Sequence, residues 1–181
     1  PRPYFRWIPM TDAVLDAARI KLIVYDFDGV MTDNRALLFP DGREAVFVNR
    51  SDGLAISRIS ELGIPQVIIS TEANKIVRTR AAKLQLSVHD NVGDKLACLR
   101  QEIATHQASP DSTIYIGNDT NDLEAMQYVA WPIAPQDAHQ DVLAVARIVT
   151  NARGGEGVIR EVLDLLTGEA GPGSRPSTGA L

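Results

Sequence analysis

Short apolar segments alternate with amphipathic helical segments along most of the chain, and this alternation constrains the fold more than any other feature. Segments with strand character occur at residues 21–25, 66–69, 86–88, 113–116 and 131–134. Apolar residues recur with helical spacing within residues 52–62, 73–84, 96–103, 123–127 and 156–166. Because strands separated by helices pair in parallel, the sequence predicts an α/β protein with a doubly wound parallel sheet.

The two termini and one internal segment depart from this alternation. Residues 1–19 form an aromatic, proline-containing extension, in which Thr11 or Asp12 is positioned to cap a short helix through Ala18. Residues 20–167 form the predicted domain, and residues 168–181 are rich in Gly, Pro and Ser, which predicts a flexible tail. Within the domain, Pro40-Asp41-Gly42 separates two extended stretches and predicts a β-hairpin over about residues 36–48.

Composition excludes several classes of function. The chain has 18 Lys and Arg against 23 Asp and Glu, a net charge of −5, which argues against nucleic acid or an anionic membrane as the main partner. No apolar run approaches the ~20 residues of a membrane-spanning helix, and no signal-peptide pattern is present. Cys98 is the single cysteine and cannot form an internal disulfide, so we expect a reducing, cytoplasmic location.

Polar side chains follow three of the predicted strands. The first strand runs into Asp26-Phe27-Asp28-Gly29-Val30-Met31-Thr32-Asp33, the second into Ser70-Thr71-Glu72, and the fourth into Gly117-Asn118-Asp119-Thr120-Asn121-Asp122. Lys95 opens the helix that precedes the fourth strand. Since open α/β sheets bind ligands beyond the carboxyl ends of their strands, we expect these groups to converge on one site.

The chemistry of this edge follows from its excess of carboxylates over one lysine. Packed carboxylates cannot all stay ionised unaided, and Mg²⁺, a hard cation with oxygen ligands, resolves their repulsion. Asp26 can then attack phosphorus and form an aspartyl-phosphate, while Asp28 protonates the leaving alkoxide and later activates water. Ser70 and Lys95 would hold the phosphoryl oxygens. The candidate metal ligands are Asp26, Asp28, Asn118, Asp119 and Asp122.

Each of these signals has an ordinary structural explanation when it is taken alone. An Asp-x-Asp pair occurs in solvated turns, a serine such as Ser70 often caps a helix, and a lysine such as Lys95 is usually solvated. Asp52 is interpreted as the N-cap of a helix rather than as a ligand, and Cys98 as a core residue. The order of the motifs, each at the same end of a predicted strand or helix, favours the catalytic interpretation.

That order resembles the haloacid dehalogenase superfamily of phosphatases. The resemblance covers about residues 21–166, and the stretch from Asp26 to Asp33 is specific. Within the superfamily the chain is similar to the 3-deoxy-manno-octulosonate-8-phosphate phosphatases and their sialic-acid relatives, through the hairpin, residues 49–53 and residues 154–162. The resemblance implies a Rossmann-like core without a cap domain and a Mg²⁺-dependent phosphomonoesterase that acts on a 3-deoxy-ulosonic acid phosphate of eight or nine carbons. It also implies Asp26 as nucleophile and Asp28 as general acid and base.

Two departures from the family pattern bear on activity and substrate. Asn118 stands where the family commonly has a metal-binding Asp, and an amide oxygen brings no charge to the cation. Ser70-Thr71-Glu72-Ala73 replaces the Thr-Gly-Arg-Lys of octulosonate phosphatases, and Glu72 resembles the nine-carbon branch. The candidate substrate-binding residues are Ser70, Thr71, Glu72, Arg78 and Lys95.

The spacing of the motifs leaves no room for a lid domain. Only 41 residues separate Asp28 from Ser70, and 24 separate Ser70 from Lys95. The hairpin carries more apolar surface than a two-stranded ribbon can bury. We therefore expect it to pack on neighbouring subunits that close the site, in a homotetramer according to the resemblance.

Two alternatives to a small-molecule phosphatase remain open from the sequence. The Gly-Asn-Asp variant at residues 117–119 also resembles the phosphatase-like domain fused to acylneuraminate cytidylyltransferases, where the fold serves oligomerisation and catalysis is weakened. The absence of a lid is also compatible with an uncapped phosphatase that acts on phosphoproteins or other large substrates.

Overall fold

Strand β1 (Leu22–Tyr25) lies inside a six-stranded parallel sheet, and its four side chains are all buried. It pairs with β4 (Gln66–Ile69) on one side and with β6 (Thr113–Ile116) on the other. The other strands are β5 (Ser87–His89), β7 (Trp131–Ala134) and β8 (Ile148–Val149), which gives the order β5-β4-β1-β6-β7-β8. This computed structural model describes residues 15–73 and 75–169 and confirms the predicted doubly wound sheet.

Helices cover both faces of the sheet. Helices α1 (Ser51–Glu61), α2 (Lys75–Leu84) and α6 (Val158–Thr167) pack on one face, where Ile23 and Tyr25 of β1 point. Helices α3 (Lys95–Thr105), α4 (Leu123–Tyr128) and α5 (Gln140–Val145) pack on the other, where Leu22 and Val24 point. Because side chains alternate along a strand, the same apolar run supplies two separate cores.

The direction of the strand order reverses between β1 and β6. From β1 the chain proceeds outward through β4 to β5, and it then returns to β6 on the opposite side of β1. A crevice opens beyond the carboxyl ends of adjacent strands at such a reversal, because their following loops diverge. Asp26 and Asn118 lie in the loops that follow β1 and β6.

The structure corrects two details of the sequence prediction. Asp52 is not the N-cap of α1: it is the second residue of the helix and is buried, while the Asn49 side chain accepts a hydrogen bond from the Ser51 amide at 3.0 Å. The segment α5–β8 was not predicted. With six and two residues, these elements are too short for a periodic pattern.

The hairpin is confirmed, although its paired part is shorter than the predicted 36–48. Strands β2 (Leu37–Leu38) and β3 (Glu44–Ala45) are antiparallel and form a separate two-stranded sheet. Leu37, Leu38 and Phe47 are 56%, 68% and 78% exposed, so the hairpin presents apolar side chains outside the core.

The predicted N-terminal helix and tail fall largely on residues 1–14 and 170–181, which lie outside the described residues. Residues 17–19 form a single 3₁₀ turn in which the Asp16 carboxylate accepts from the Ala18 amide. Over the described ranges, no helix combines the length and the apolar character needed to cross a membrane.

Candidate active site

Asp26 lies at the carboxyl end of β1 and is 5% exposed. Its amide donates to the Ile116 carbonyl at 2.8 Å, which continues the pairing of β1 with β6 and fixes the backbone of the residue. Lys95, the first residue of α3, extends to it from the opposite side of the site. The Lys95 Nζ donates to Asp26 Oδ1 at 2.8 Å and to Asp122 Oδ1 at 2.7 Å.

These three buried charges set one another's protonation. Burial, followed by the charge of Asp122, raises the pKa of Asp26 to about 7, although Lys95 opposes the shift. Burial alone would lower the pKa of Lys95, but the two carboxylates outweigh it and hold that pKa above its ordinary value. The lysine therefore stays protonated and supplies the positive charge at this end of the sheet.

Asp122 is fully committed to internal hydrogen bonds. Oδ1 accepts from Lys95 and from the Tyr115 hydroxyl at 2.8 Å, and Oδ2 accepts from the amides of Asn118 at 3.0 Å and Asp119 at 3.3 Å. Asp122 has no exposed surface and does not line the cavity described below. The Asp122 carboxylate positions Lys95, and the metal-ligand role of Asp122 stays a prediction that these hydrogen bonds do not support. Tyr115 was missed because a tyrosine inside an apolar strand carries no sequence signal of a polar contact.

The loop after β1 turns sharply at Gly29 and presents Asp28 to the cavity. Gly29 has φ +81°, and a Cβ there would overlap the Asn118 side chain, so both its conformation and its contact require glycine. Thr32 Oγ1 lies 3.4 Å from Asp28 Oδ1 and accepts from the Gly29 amide at 3.1 Å. Burial, followed by the charge of Glu72, raises the pKa of Asp28, which favours a carboxyl that can carry a proton.

The Asn118 amide faces two acceptors of the β1 loop. The side-chain atom on that side lies 2.9 Å from the Asp28 carbonyl oxygen and 3.0 Å from Asp26 Oδ2. As Nδ2 it donates to both; as Oδ1 it completes a cluster of three oxygens. About 3.0 Å is also the distance between adjacent ligands of an octahedral Mg²⁺ whose oxygens lie at about 2.1 Å. Asn118, the Asp26 carboxylate and the Asp28 carbonyl thus fit a small divalent cation.

Ser70, Thr71 and Glu72 form the opposite wall. Ser70 is buried at the end of β4, where its amide donates to the His89 carbonyl at 2.8 Å and its hydroxyl accepts from the Glu72 amide at 3.1 Å. Thr71 accepts from the Asn121 side chain at 3.4 Å, which joins the loops after β4 and β6.

A cavity of about 470 Å³ lies between these loops and the hairpin. It brings together Asp26, Asp28, Ser70, Thr71, Glu72, Asn118 and Asp119, as the sequence predicted. The hairpin side contributes residues that the sequence analysis missed, namely Asn34, Arg35, Ala36, Glu44 and Val46. The position of residues 34–36 directly after the Asp26–Asp33 motif was the available signal.

Two predicted residues do not line this cavity. Arg78 is 67% exposed in its side chain and pairs with Asp90 at 2.7 Å, outside the cavity, so its role in substrate binding stays a prediction. Lys95 lies behind Asp26 with a side chain 2% exposed, and it acts through that carboxylate instead of lining the cavity.

The glycine-rich segment at residues 154–157 packs against the backbone of the loop that follows β1. A Cβ at Gly154 would overlap the Gly29 carbonyl, and Gly155, at φ +72°, packs on the backbone of Thr32. The Gly155 amide donates to the Val30 carbonyl at 3.0 Å. Contacts this close exclude side chains, which explains the paired glycines at this point of the sequence.

Comparison with known proteins identifies the family to which this chain belongs. A model of haloacid dehalogenase-like hydrolases matches residues 57–162, more than half of the chain. The chain belongs to this family. Among curated relatives of this hydrolase, the 3-deoxy-D-manno-octulosonate 8-phosphate phosphatase of Yersinia pestis is 35% identical over 160 residues, which cover 87% of this chain and 86% of the relative. The Escherichia coli K12 phosphatase of that name is 31% identical over 156 residues, which cover 86% and 83%. The chain is accordingly a hydrolase of the phosphatase type.

Solved structures agree with this assignment. A putative hydrolase of the same family from Streptomyces avermitilis is 41% identical with a TM-score of 0.83, covering 86% of this chain and 90% of that one. A 3-deoxy-D-manno-octulosonate 8-phosphate phosphatase from Moraxella catarrhalis, in complex with a magnesium ion, a phosphate ion and KDO, is 28% identical with a TM-score of 0.80. It covers 84% of this chain and 88% of its own. The family fold is therefore confirmed, and the described residues between the motifs form only the hairpin, helices and strands given above.

Proposed function

We propose that this hydrolase is a Mg²⁺-dependent phosphomonoesterase that acts on the phosphate of a 3-deoxy-ulosonic acid. The observation that carries the proposal is the buried Asp26–Lys95 pair at the end of β1, open to a cavity that also holds Asp28, Ser70 and Asn118. The substrate class comes from the relatives named above. The single cysteine and a sugar-acid substrate support the cytoplasm as the place of action.

The donor set fits Mg²⁺. The Asp26 carboxylate, the Asp28 carbonyl and the Asn118 amide oxygen would hold the cation, with Asp119 on the cavity wall as a further carboxylate. When bound, Mg²⁺ neutralises charge on the phosphoryl oxygens and keeps Asp26 ionised at neutral pH.

The residues of the chain divide the reaction between them. Asp26 attacks phosphorus, and its carboxylate oxygen forms the new bond as the ester oxygen leaves. Asp28 gives that leaving oxygen its proton and then takes a proton from the water that hydrolyses the aspartyl-phosphate. Ser70 binds a phosphoryl oxygen through its hydroxyl. Lys95, which donates to Asp26 Oδ1, offsets the negative charge that accumulates.

The chain length of the substrate depends on the outer part of the cavity. Glu72 and Thr71 lie on the wall that faces the hairpin, where the sugar part of the substrate would extend. A carboxylate at this place accepts hydrogen bonds from sugar hydroxyls. The resemblance of Glu72 to the nine-carbon branch favours the sialic-type acid over the eight-carbon octulosonic acid.

The decisive experiment is a phosphate-release assay on eight- and nine-carbon ulosonic acid phosphates with Mg²⁺. We expect turnover with at least one of them, loss of turnover in Asp26→Asn, and a selective loss of the nine-carbon activity in Glu72→Ala. A glucose 6-phosphate arm controls for non-selective hydrolysis. No activity above Asp26→Asn on any ulosonic acid phosphate would contradict the proposal.

A second candidate is a catalytically weakened domain that is retained for oligomerisation. It is favoured by the neutral Asn118 in the cation site and by the exposed apolar hairpin. Calorimetric titration with Mg²⁺ distinguishes the two candidate functions. A catalytic site binds the cation at physiological concentrations, whereas a site that has lost its catalytic role binds it weakly or not at all. In both cases we propose a homotetramer assembled through the hairpin, whose neighbouring subunits close the cavity.

A further inference from the structure

The loop that follows β7, residues 135–139, contacts both halves of the cation site. Its His139 amide donates to the Asn118 carbonyl at 2.8 Å. Two residues earlier, Oδ1 of Asp137 accepts from the Gly154 amide at 2.9 Å. Among the described residues that line the active-site cavity, none belongs to this loop, so it acts on the site through the backbones that it holds.

Gly154 extends this contact to the loop that follows β1. A Cβ at Gly154 would overlap the Gly29 carbonyl, and the amide of the next residue, Gly155, donates to the Val30 carbonyl at 3.0 Å. Backbones packed this closely cannot shift independently of one another. The position of Gly154 therefore constrains the Asp28 carbonyl, which directly precedes Gly29.

The two halves of the cation site are joined in two places. They meet directly where the Asn118 side chain lies 2.9 Å from the Asp28 carbonyl oxygen. They are joined again behind the site, through the loop after β7 and the glycine pair at residues 154–155. This second connection holds the candidate ligands near one another before a cation binds, which reduces the cost of ordering them on binding.

Asp137 supplies a side-chain contact in a connection that is otherwise built from backbone groups. Its side chain is 32% exposed, and its Oδ2 lies 3.4 Å from Nε of Arg153, which is 61% exposed. An ion pair this exposed contributes little, whereas Gly154 is buried and its amide needs an acceptor. The hydrogen bond to Gly154 is therefore the contribution of Asp137 that bears on the site.

We propose that Asp137 is a positioning residue for the cation site and acts through Gly154 on the loop after β1. The proposal rests on the Mg²⁺-dependent function proposed above. Because Asp137 lies outside the cavity, its replacement leaves every candidate ligand in the chain. What changes is their alignment, and with it the affinity of the site for Mg²⁺.

The test is calorimetric titration of the full chain with Mg²⁺ in three variants. Asp137→Ala removes the acceptor of the Gly154 amide. Asp137→Asn keeps an acceptor oxygen at the same place and removes only the charge. Asp164→Ala is the matched control, since the Asp164 side chain is 29% exposed and likewise pairs with an arginine, Arg160 at 3.2 Å.

We expect Asp137→Ala to raise the Kd for Mg²⁺ about fivefold, a factor that corresponds to one lost hydrogen bond. Asp137→Asn and Asp164→Ala should bind Mg²⁺ as the wild type does. An equal loss of affinity in Asp137→Asn would show an effect of charge alone and overturns the proposal. A lower stability of Asp137→Ala in urea with unchanged Mg²⁺ affinity would show a merely structural role and also overturns it.

Amide hydrogen exchange in the metal-free protein gives a second measurement that does not depend on Mg²⁺. The His139 and Gly155 amides should exchange about fivefold faster in Asp137→Ala and at the wild-type rate in Asp137→Asn, because the loops then open more often. Unchanged exchange in Asp137→Ala overturns the proposal. A wild-type protein that binds no Mg²⁺ would instead contradict the proposed function, and the exchange rates would still decide whether Asp137 holds the two loops together.

Discussion

Lys95 Nζ lies 2.8 Å from Asp26 Oδ1, although the two residues are 69 positions apart in the chain. The contact is buried, since the two side chains are 2% and 7% exposed. A lysine enclosed in this way is held by two carboxylates and cannot exchange them for water. Replacing it therefore affects folding and catalysis together.

Lys95→Met should abolish activity and destabilise the protein. It leaves Asp26 and Asp122 buried without their shared cation, which costs about 3–5 kcal/mol of unfolding free energy. Urea unfolding and phosphate release measure the two effects. Lys75→Met removes an exposed cation at the start of α2 and should leave both unchanged; an active Lys95→Met would contradict the assigned role.

Tyr115→Phe should lower kcat, because the hydroxyl holds Asp122 Oδ1 at 2.8 Å and Asp122 in turn orients Lys95. Tyr25→Phe is the matched control, since the buried Tyr25 hydroxyl donates to Gln66 Oε1 at 2.8 Å and does not contact the site. Each change should cost about 1 kcal/mol of stability. Only Tyr115→Phe should reduce kcat, and equal kcat values for the two variants would show that Tyr115 does not act on the site through Asp122.

Asn118→Asp should increase the affinity for Mg²⁺. A carboxylate adds a full negative charge beside Asp26 Oδ2, which the neutral amide faces at 3.0 Å. We expect the Mg²⁺ concentration at half-maximal activity to fall about tenfold, equivalent to about 1.4 kcal/mol. The metal-free variant should unfold at lower urea concentration, because like charges are then adjacent. An unchanged Mg²⁺ requirement would exclude Asn118 from the cation site.

Asp52 makes stability depend on pH. Its folded pKa of about 7 lies above the ordinary value near 4, so its stabilising contribution is complete below about pH 4 and is lost as pH rises through 7. Asp52→Asn removes this dependence. Relative to the wild type, the variant should gain roughly 3 kcal/mol between pH 5 and pH 8 in urea unfolding. Asp111→Asn, at an exposed carboxylate, is the control, and a pH-independent difference for Asp52→Asn would contradict the prediction.

The hairpin prediction concerns assembly. Leu38→Ser/Phe47→Ser removes two side chains that are 68% and 78% exposed and make little contribution to the core. We expect sedimentation to show smaller species and the activity to fall, while the chain stays folded. A wild-type protein that is a stable monomer at micromolar concentration would contradict the proposed tetramer.

Strand and helix assignments could be made from the sequence because burial imposes a periodic pattern on each element. The apolar run at residues 22–25 predicts a buried strand, and both faces of that strand meet helices. Gly63, with a φ of +76°, marks the end of α1. The order of Asp26, Ser70, Lys95 and Asn118 along the chain also predicted one site, since parallel strands present their carboxyl ends at one edge.

The partners of individual side chains were decided only by tertiary structure. Asp119 and Asp122 are three positions apart and equally plausible ligands in the sequence, yet Asp119 faces the cavity and Asp122 is saturated by four donors. Arg78 forms an ion pair with Asp90, which follows β5. Arg80, two residues further along, is buried, and its Nε has no hydrogen-bond partner among the described residues.

The sequence by itself therefore determined the fold and predicted both the edge of the sheet where the polar motifs converge and a candidate nucleophile there. Tertiary structure decided which carboxylates hold Lys95 and which residues line the active-site cavity. The physical reason is the distance over which each feature is set. Periodicity and motif order depend on neighbouring residues and on the topology of the sheet. A hydrogen bond or an ion pair depends on distances of a few ångströms between residues that are far apart in the chain.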